Sequence, residues 1–273
     1  MRLDGRRESR NVRDVRGKGG KTAGLSFGGL IVVGLITWLL GGNPLDVLQQ
    51  AGGIGAVVNS GNSEYVPTAE EEALATFSKK IFAGTEDVWA AQFSSMGLTY
   101  EPPTLVLFSG SVQSGCGGAT SSTGPFYCSA DQSVYIDLSF FSTMKQEFGS
   151  AGDFAYAYVI AHEVGHHVQY LLGTLSEVNQ AKRQVSEVEA NKLSVRLELQ
   201  ADFYAGLWAY HDNAMFASLE SGDLEEGLEI ASRIGDDYLQ KRARGYATPE
   251  TFNHGTSAQR SRWLKKGFTT GDI

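Results

Sequence analysis

Two histidines four residues apart, with a glutamate beside the first, form the most chemically pointed pattern in this 273-residue chain: His162-Glu163-Val164-Gly165-His166. They continue an uncharged, apolar-rich stretch, Phe154 to Ala161, that predicts a helix. Four residues is about one helical turn, so both imidazoles share a face and can grip a single zinc ion, one per chain. Glu163 adjoins the pair without being a ligand. That is the place for a general base, which takes a proton from a water acidified by the metal and returns it to a leaving amine. His167 follows at once but points about 100° further round the helix. It reads as a partly exposed helix histidine, not as a third ligand.

A hydrolytic zinc site takes three protein ligands and keeps one position open for water. Glu198, on a second predicted helix 32 residues after His166, is the candidate third ligand. Asp202, four residues on, shares its face and can accept a hydrogen bond from the second ring nitrogen of His162 or His166. Leu197, Leu199, Ala201 and Phe203 flank these carboxylates, and two buried acids need partners. A solvated charged face is the bland alternative, and it is the reading adopted for Glu187, Glu189 and Lys192. Later in the chain His254 precedes a helix start and is a candidate donor to the oxyanion formed when a peptide carbonyl is attacked; the alternative is a satisfied loop histidine. Arg260 can pair a carboxylate at the same corner.

The elements that must position these residues are legible in outline. Thr68 and Glu71 form a capping-box pattern that starts a helix running to about Phe82, with a second helical stretch from Glu86 to Met96. Thr104–Phe108 and Ser133–Leu138 read as strands, separated by a Gly- and Ser-rich loop from Ser109 to Gly124. Asp153 caps the motif helix and Gly173 ends it. A long helical pattern covers about Glu177 to Ala214, another Leu224 to Arg242, and a last one Ser257 to Lys266. The fold class is α+β and mainly helical, with one N-terminal transmembrane helix ahead of the domain.

That span is read from the first fifth of the chain. Residues 1–21 hold eight basic and three acidic side chains, a net of +5, which leaves −13 of the total −8 on the remainder. They read as a basic cytoplasmic tail. Residues 22–42 are uncharged and rich in Leu, Ile, Val, Phe and Trp, which suits a membrane-spanning helix. A cleavable signal peptide has the same basic-then-apolar order, but no small-x-small site follows Trp38-Leu39-Leu40 and the basic region is long for a signal. Residues 43–67 read as a linker and 68–273 as the catalytic domain. Basic flanks stay inside, so the expected topology is single-pass in a cytoplasmic membrane, N-terminus inside and domain outside. The acidic outer domain argues against nucleic acid as a partner. In an exported domain Cys116 and Cys128 suggest a disulfide; free thiols and metal ligands are the alternatives.

With these residues in view, the sequence resembles the bacterial putative neutral zinc metallopeptidase family of membrane-anchored proteins. The resemblance is carried by Arg6 to Val12, Cys116 and Cys128, Val134 to Asp137, His162 to His167, Glu198 to Asp202, and His254 to Arg260. It implies a zincin-like domain outside the cytoplasmic membrane that hydrolyses peptide bonds in a protein or peptide substrate. Zincins take substrate as an added strand on a sheet edge, and Ser133–Leu138 is the expected edge, with the Cys116–Cys128 loop as a wall of the cleft. A non-catalytic, zinc-stabilised binding module at the membrane is the alternative reading. The sequence sets no oligomeric state.

Overall fold

The computed structural model describes residues 1–17, 65–148 and 152–273. The expected span at 22–42, and the linker as far as residue 64, lie outside the described residues. Among those that are described, no helix is long and apolar enough to cross a membrane. They form an α+β arrangement, mainly helical.

A mixed four-stranded sheet forms one layer. Its members are β1 (Val12–Asp14), β2 (Thr104–Phe108), β5 (Phe126–Cys128) and β6 (Ser133–Asp137), in the order β1-β2-β6-β5. β1 and β2, and β2 and β6, pair parallel; β5 runs antiparallel to β6. Side chains alternate across the sheet as period-2 geometry requires. Leu105, Leu107, Val134 and Ile136 face the main helical core. Val106, Phe108, Tyr135 and Cys128 form a smaller cluster on the other face, with Val112 of the hairpin β3–β4 (Ser111–Ser114 and Gly117–Thr120) packed against it. That hairpin lies in the stretch expected to be only loop. Cys116, in its turn, is disulfide-bonded to Cys128 on β5, a closure of this length contributing about 3 kcal/mol on the chain-entropy model.

Eight α-helices cover the described residues: α1 (Ala69–Ser95), α2 (Ser139–Phe148), α3 (Asp153–Leu171), α4 (Thr174–Lys182), α5 (Glu187–Phe216), α6 (Asp223–Arg233), α7 (Asp236–Arg244) and α8 (Ser257–Thr270). The Thr68–Glu71 capping box starts α1, which then runs unbroken where two helices were expected. Gly84 lies inside it because Asp212 and Arg6 pack against that position, leaving no room for a Cβ. Two long helical patterns break instead. Ser186 caps α5 through the Glu189 amide and separates it from α4. Gly235 separates α6 from α7 where a Cβ would lie 2.2 Å from the Ser257 nitrogen. Asp153 is the first residue of α3; the cap is Gly152, without a side-chain bond.

The reading of residues 1–21 as a basic tail apart from the domain at 68–273 is corrected for the part described. Val12–Asp14 hydrogen-bond along β2 as a sheet strand, and the Leu105 amide donates to the Asn11 carbonyl at 2.8 Å. Arginines of this segment pair with acids in α1 and α5. Their partners lie 55 or more residues away in sequence, so the charges look unmatched when the segment is read alone.

α5 and α8 cross at backbone contact. A Cβ at Gly206 would lie 2.1 Å from the Leu264 oxygen, and one at Gly267 would lie 2.0 Å from the Phe203 oxygen. Neither neighbour is the end of a flexible side chain. Gly267→Ala is therefore expected to lower stability by about 1–3 kcal/mol through overpacking. Gly118→Ala, whose Cβ meets only the end of Gln113 at 3.4 Å, is expected to stay within about 0.5 kcal/mol. Thermal unfolding of the two variants side by side checks the contrast.

Candidate metal centre

α3 and α5 approach closely at Gly165, where a Cβ would sit 3.1 Å from the Ala201 oxygen and 3.2 Å from its Cα. This second position of the motif's middle pair thus lets the helices meet, and it brings Glu198, one turn earlier on α5, between the two imidazoles. Glu198 Oε2 lies 3.1 Å from His162 Nε2, and Oε1 lies 3.5 Å from His166 Nε2. The three donor atoms fall within 4.8 Å of one another. Zinc bonds of about 2.0–2.2 Å in a tetrahedron put neighbouring ligand atoms roughly 3.3–3.5 Å apart. The two separations between Glu198 and the imidazoles lie close to that range.

The remaining ring nitrogens are held as metal-binding imidazoles require. His162 Nδ1–H donates to Asp202 Oδ1 at 2.9 Å, and His166 Nδ1–H donates to Gln169 Oε1 at 2.9 Å. Gln169 is fixed in turn, donating to the Leu197 carbonyl at 2.7 Å and to Gln200 Oε1 at 3.0 Å. Both Nε2 atoms therefore face Glu198. Burial works against an imidazolium at His162, but the hydrogen bond to Asp202 and the charges of Asp202 and Glu198 outweigh it and raise the pKa to about 10. A cation must displace that proton, so metal affinity falls as pH drops.

Asp202 is fully buried and its carboxylate is saturated. Besides His162 it accepts from Tyr158 Oη at 2.5 Å and from Arg260 through Nε and Nη2, both at 2.9 Å. Burial would push its pKa up; the Arg260 charge and the His162 bond win and hold it at about 2. Arg260, also buried, donates to Tyr158 Oη at 3.2 Å as well. It sits two turns before Gly267, so the glycine crossing sets its position.

Glu163 is buried, with His162, His166, Glu198 and Arg260 as its charged surroundings. Burial raises its carboxyl above the ordinary range even though the two imidazoles pull the other way. His254 lies in the loop between α7 and α8, close enough for its charge to act on Glu198. Gly255 sets that loop against α5: its φ is +100°, and a Cβ would crowd Leu199 and Val195, residues that flank Glu198. Asp236, fully buried, accepts from the backbone amides of Asn253, His254 and Gly255 at 2.8–2.9 Å, and from His254 Nδ1–H at 3.2 Å.

His167 differs from expectation. It is fully buried, donating Nε2–H to the Glu101 carbonyl at 2.7 Å and accepting from Tyr127 Oη at Nδ1 at 2.9 Å. Burial lowers its pKa to about 4, so it stays neutral and ties α3 to β5. The expected edge strand is corrected too. β6 is interior, flanked by β2 and β5, and the open edge on this side of the sheet is β5. Sequence reasoning passed over Tyr158, Gln169 and Asp236. The first two left a usable signal, since Tyr158 lies four residues before His162 and Gln169 three after His166, on the same helix face.

Among known proteins, the whole chain, residues 1–273, matches the family described as "Putative neutral zinc metallopeptidase". It is 45% identical over 285 residues to the uncharacterized protein YpfJ of Escherichia coli K12, a match covering 100% of this chain and 96% of that relative. It is 43% identical over 183 residues to the uncharacterized protein Rv2575 of Mycobacterium tuberculosis, covering 63% of this chain and 61% of the relative. No solved structure matches it.

Proposed function

The chain belongs to the putative neutral zinc metallopeptidase family, and from that premise we propose that it is a zincin-like, zinc-dependent endopeptidase centred on His162, His166 and Glu198. One observation carries this reading. The Glu198 carboxylate stands 3.1 and 3.5 Å from the Nε2 atoms of the two histidines, while both Nδ1 atoms are already engaged. That leaves three donors converging on one point, the set a single zinc ion per chain would take.

When bound, the ion supplies Lewis-acid chemistry: it acidifies water and polarises a peptide carbonyl. Glu163 takes the proton of the attacking water and hands it to the leaving amine. Its raised pKa suits that exchange, because a base poised nearer the working pH both accepts and returns a proton readily. His254 donates to the carbonyl oxygen as it gains charge. Asp236 acts through His254, accepting from Nδ1–H and fixing the ring, so that the donation comes from Nε2–H of the doubly protonated imidazole. An extended protein or peptide substrate adds along the open edge of β5 by backbone hydrogen bonds. The Cys116–Cys128 bridge, which closes the wall beside that edge, supports an oxidising setting outside the cytoplasm.

Purified protein is expected to carry close to one zinc per chain and to cut members of a broad peptide library. Chelation should abolish cutting and added zinc restore it. Full zinc occupancy without cleavage anywhere in the library would overturn the peptidase reading and leave a zinc-tied binding module.

A further inference from the structure

The segment before residue 18 is built into the domain through buried groups, not laid on its surface. Arg6 forms a two-point pair with Asp212, at 2.8 and 3.3 Å. Asp212 is 1% exposed and also accepts from Ser218 Oγ at 2.6 Å. Glu86, buried midway along α1, accepts from Arg7 at 2.9 Å, Ser9 Oγ at 2.6 Å and Asn11 Nδ2 at 2.8 Å. Arg16, almost fully buried, bridges Asp14 at 2.6 Å and Glu72 at 2.8 Å. Without this segment Glu86 and Asp212 would be buried carboxylates lacking their cations, an arrangement a domain of ordinary stability does not tolerate.

The contact at residue 17 is as informative. Gly17 has φ +71°, and a Cβ there would lie 2.5 Å from the Cβ and ring carbons of Tyr65. Tyr65 is itself anchored, donating from Oη to Glu71 at 3.0 Å. Residues 17 and 65, the described residues on either side of that stretch, therefore meet at one spot. Between Lys21 and Glu64 the sequence holds a single charged residue, Asp46, so a return crossing would bring little charge into lipid.

We propose that residues 1–17 and 65–273 form one folding unit in one compartment, so that any lipid contact made by the stretch between them begins and ends on the same side of the membrane. A single crossing would put β1 and β2 on opposite faces of the bilayer and break their pairing. The basic residues near the start, which resemble a cytoplasmic flank, serve instead as partners for buried acids. This inference is independent of the peptidase reading.

The test uses the full chain in cells with single added cysteines, Arg10→Cys before the stretch and Lys192→Cys on α5. Both positions are solvent-exposed, and the native cysteines are joined to each other. A membrane-impermeant maleimide is applied to intact cells, to spheroplasts and to lysed cells. Both cysteines are expected to become reactive at the same step, whichever step that is. Labelling of one in intact cells or spheroplasts, with the other reactive only after lysis, would overturn the proposal. Glu8→Cys, at a side chain 46% exposed, repeats the first arm should the Arg10 variant not accumulate.

Discussion

Glu163→Gln is expected to keep one zinc per chain and to lose peptide hydrolysis by about 10²–10⁴-fold, the usual contribution of a positioned general base. The substitution preserves shape and removes only the ability to take a proton. Glu163 lies next to His162 in sequence, yet the Nε2 atoms of the two histidines converge on Glu198, so metal binding should be untouched. Stability should hold or rise slightly, because burial disfavours the ionised carboxyl at this position. Zinc content by elemental analysis, together with kcat on a cleavable peptide, separates the outcomes. Retained activity would remove Glu163 from the mechanism. Lost zinc would make it part of the metal's support instead of the base.

What the sequence makes legible follows from how local each cause is. His162, Glu163 and His166 show because a helix turns their spacing directly into geometry. Glu198 and Asp202 show because two acids among Leu197, Leu199, Ala201 and Phe203 demand partners, and the structure provides them at His162, His166 and Arg260. The hairpin β3–β4 is hidden because its strands carry only two β-branched residues, Val112 and Thr120, among Ser, Gln, Gly and Ala; pairing and the bridge to Cys128 make it, not propensity. His167 is misread because helical angle excludes it as a ligand but cannot report the Tyr127 and Glu101 groups that enclose it. The helix breaks at Ser186 and Gly235 are likewise invisible to periodicity, since apolar spacing continues through both. The N-terminal arginines mislead for the same reason on a larger scale. Arg6 and Asp212 are 206 residues apart, and only the fold makes them neighbours.

Removing the Asp202 carboxylate should be the most damaging single change to stability. Asp202→Ala leaves Arg260, about 4% exposed, without its buried partner, and breaking such a pair from one side costs about 3–5 kcal/mol. Tyr158 Oη loses an acceptor in the same step, and so does His162 Nδ1. That last loss frees the imidazole to rotate or change tautomer, which for a metal-binding histidine weakens affinity about 10–100-fold. Arg260→Met separates the two effects. It removes the cation but leaves Asp202 bound to His162 and Tyr158, so stability should fall while zinc affinity changes far less. The double variant then decides whether the damage comes from an orphaned charge. If it does, Asp202→Ala combined with Arg260→Met is less destabilised than the two single costs added together, because neither ion is left alone. Urea unfolding of zinc-stripped protein gives the stability terms, and competition with a chelator gives the affinities. Additive losses in the double variant would mean that Asp202 and Arg260 act separately, and the crossing of α5 and α8 would have to be explained by packing at Gly206 and Gly267 alone.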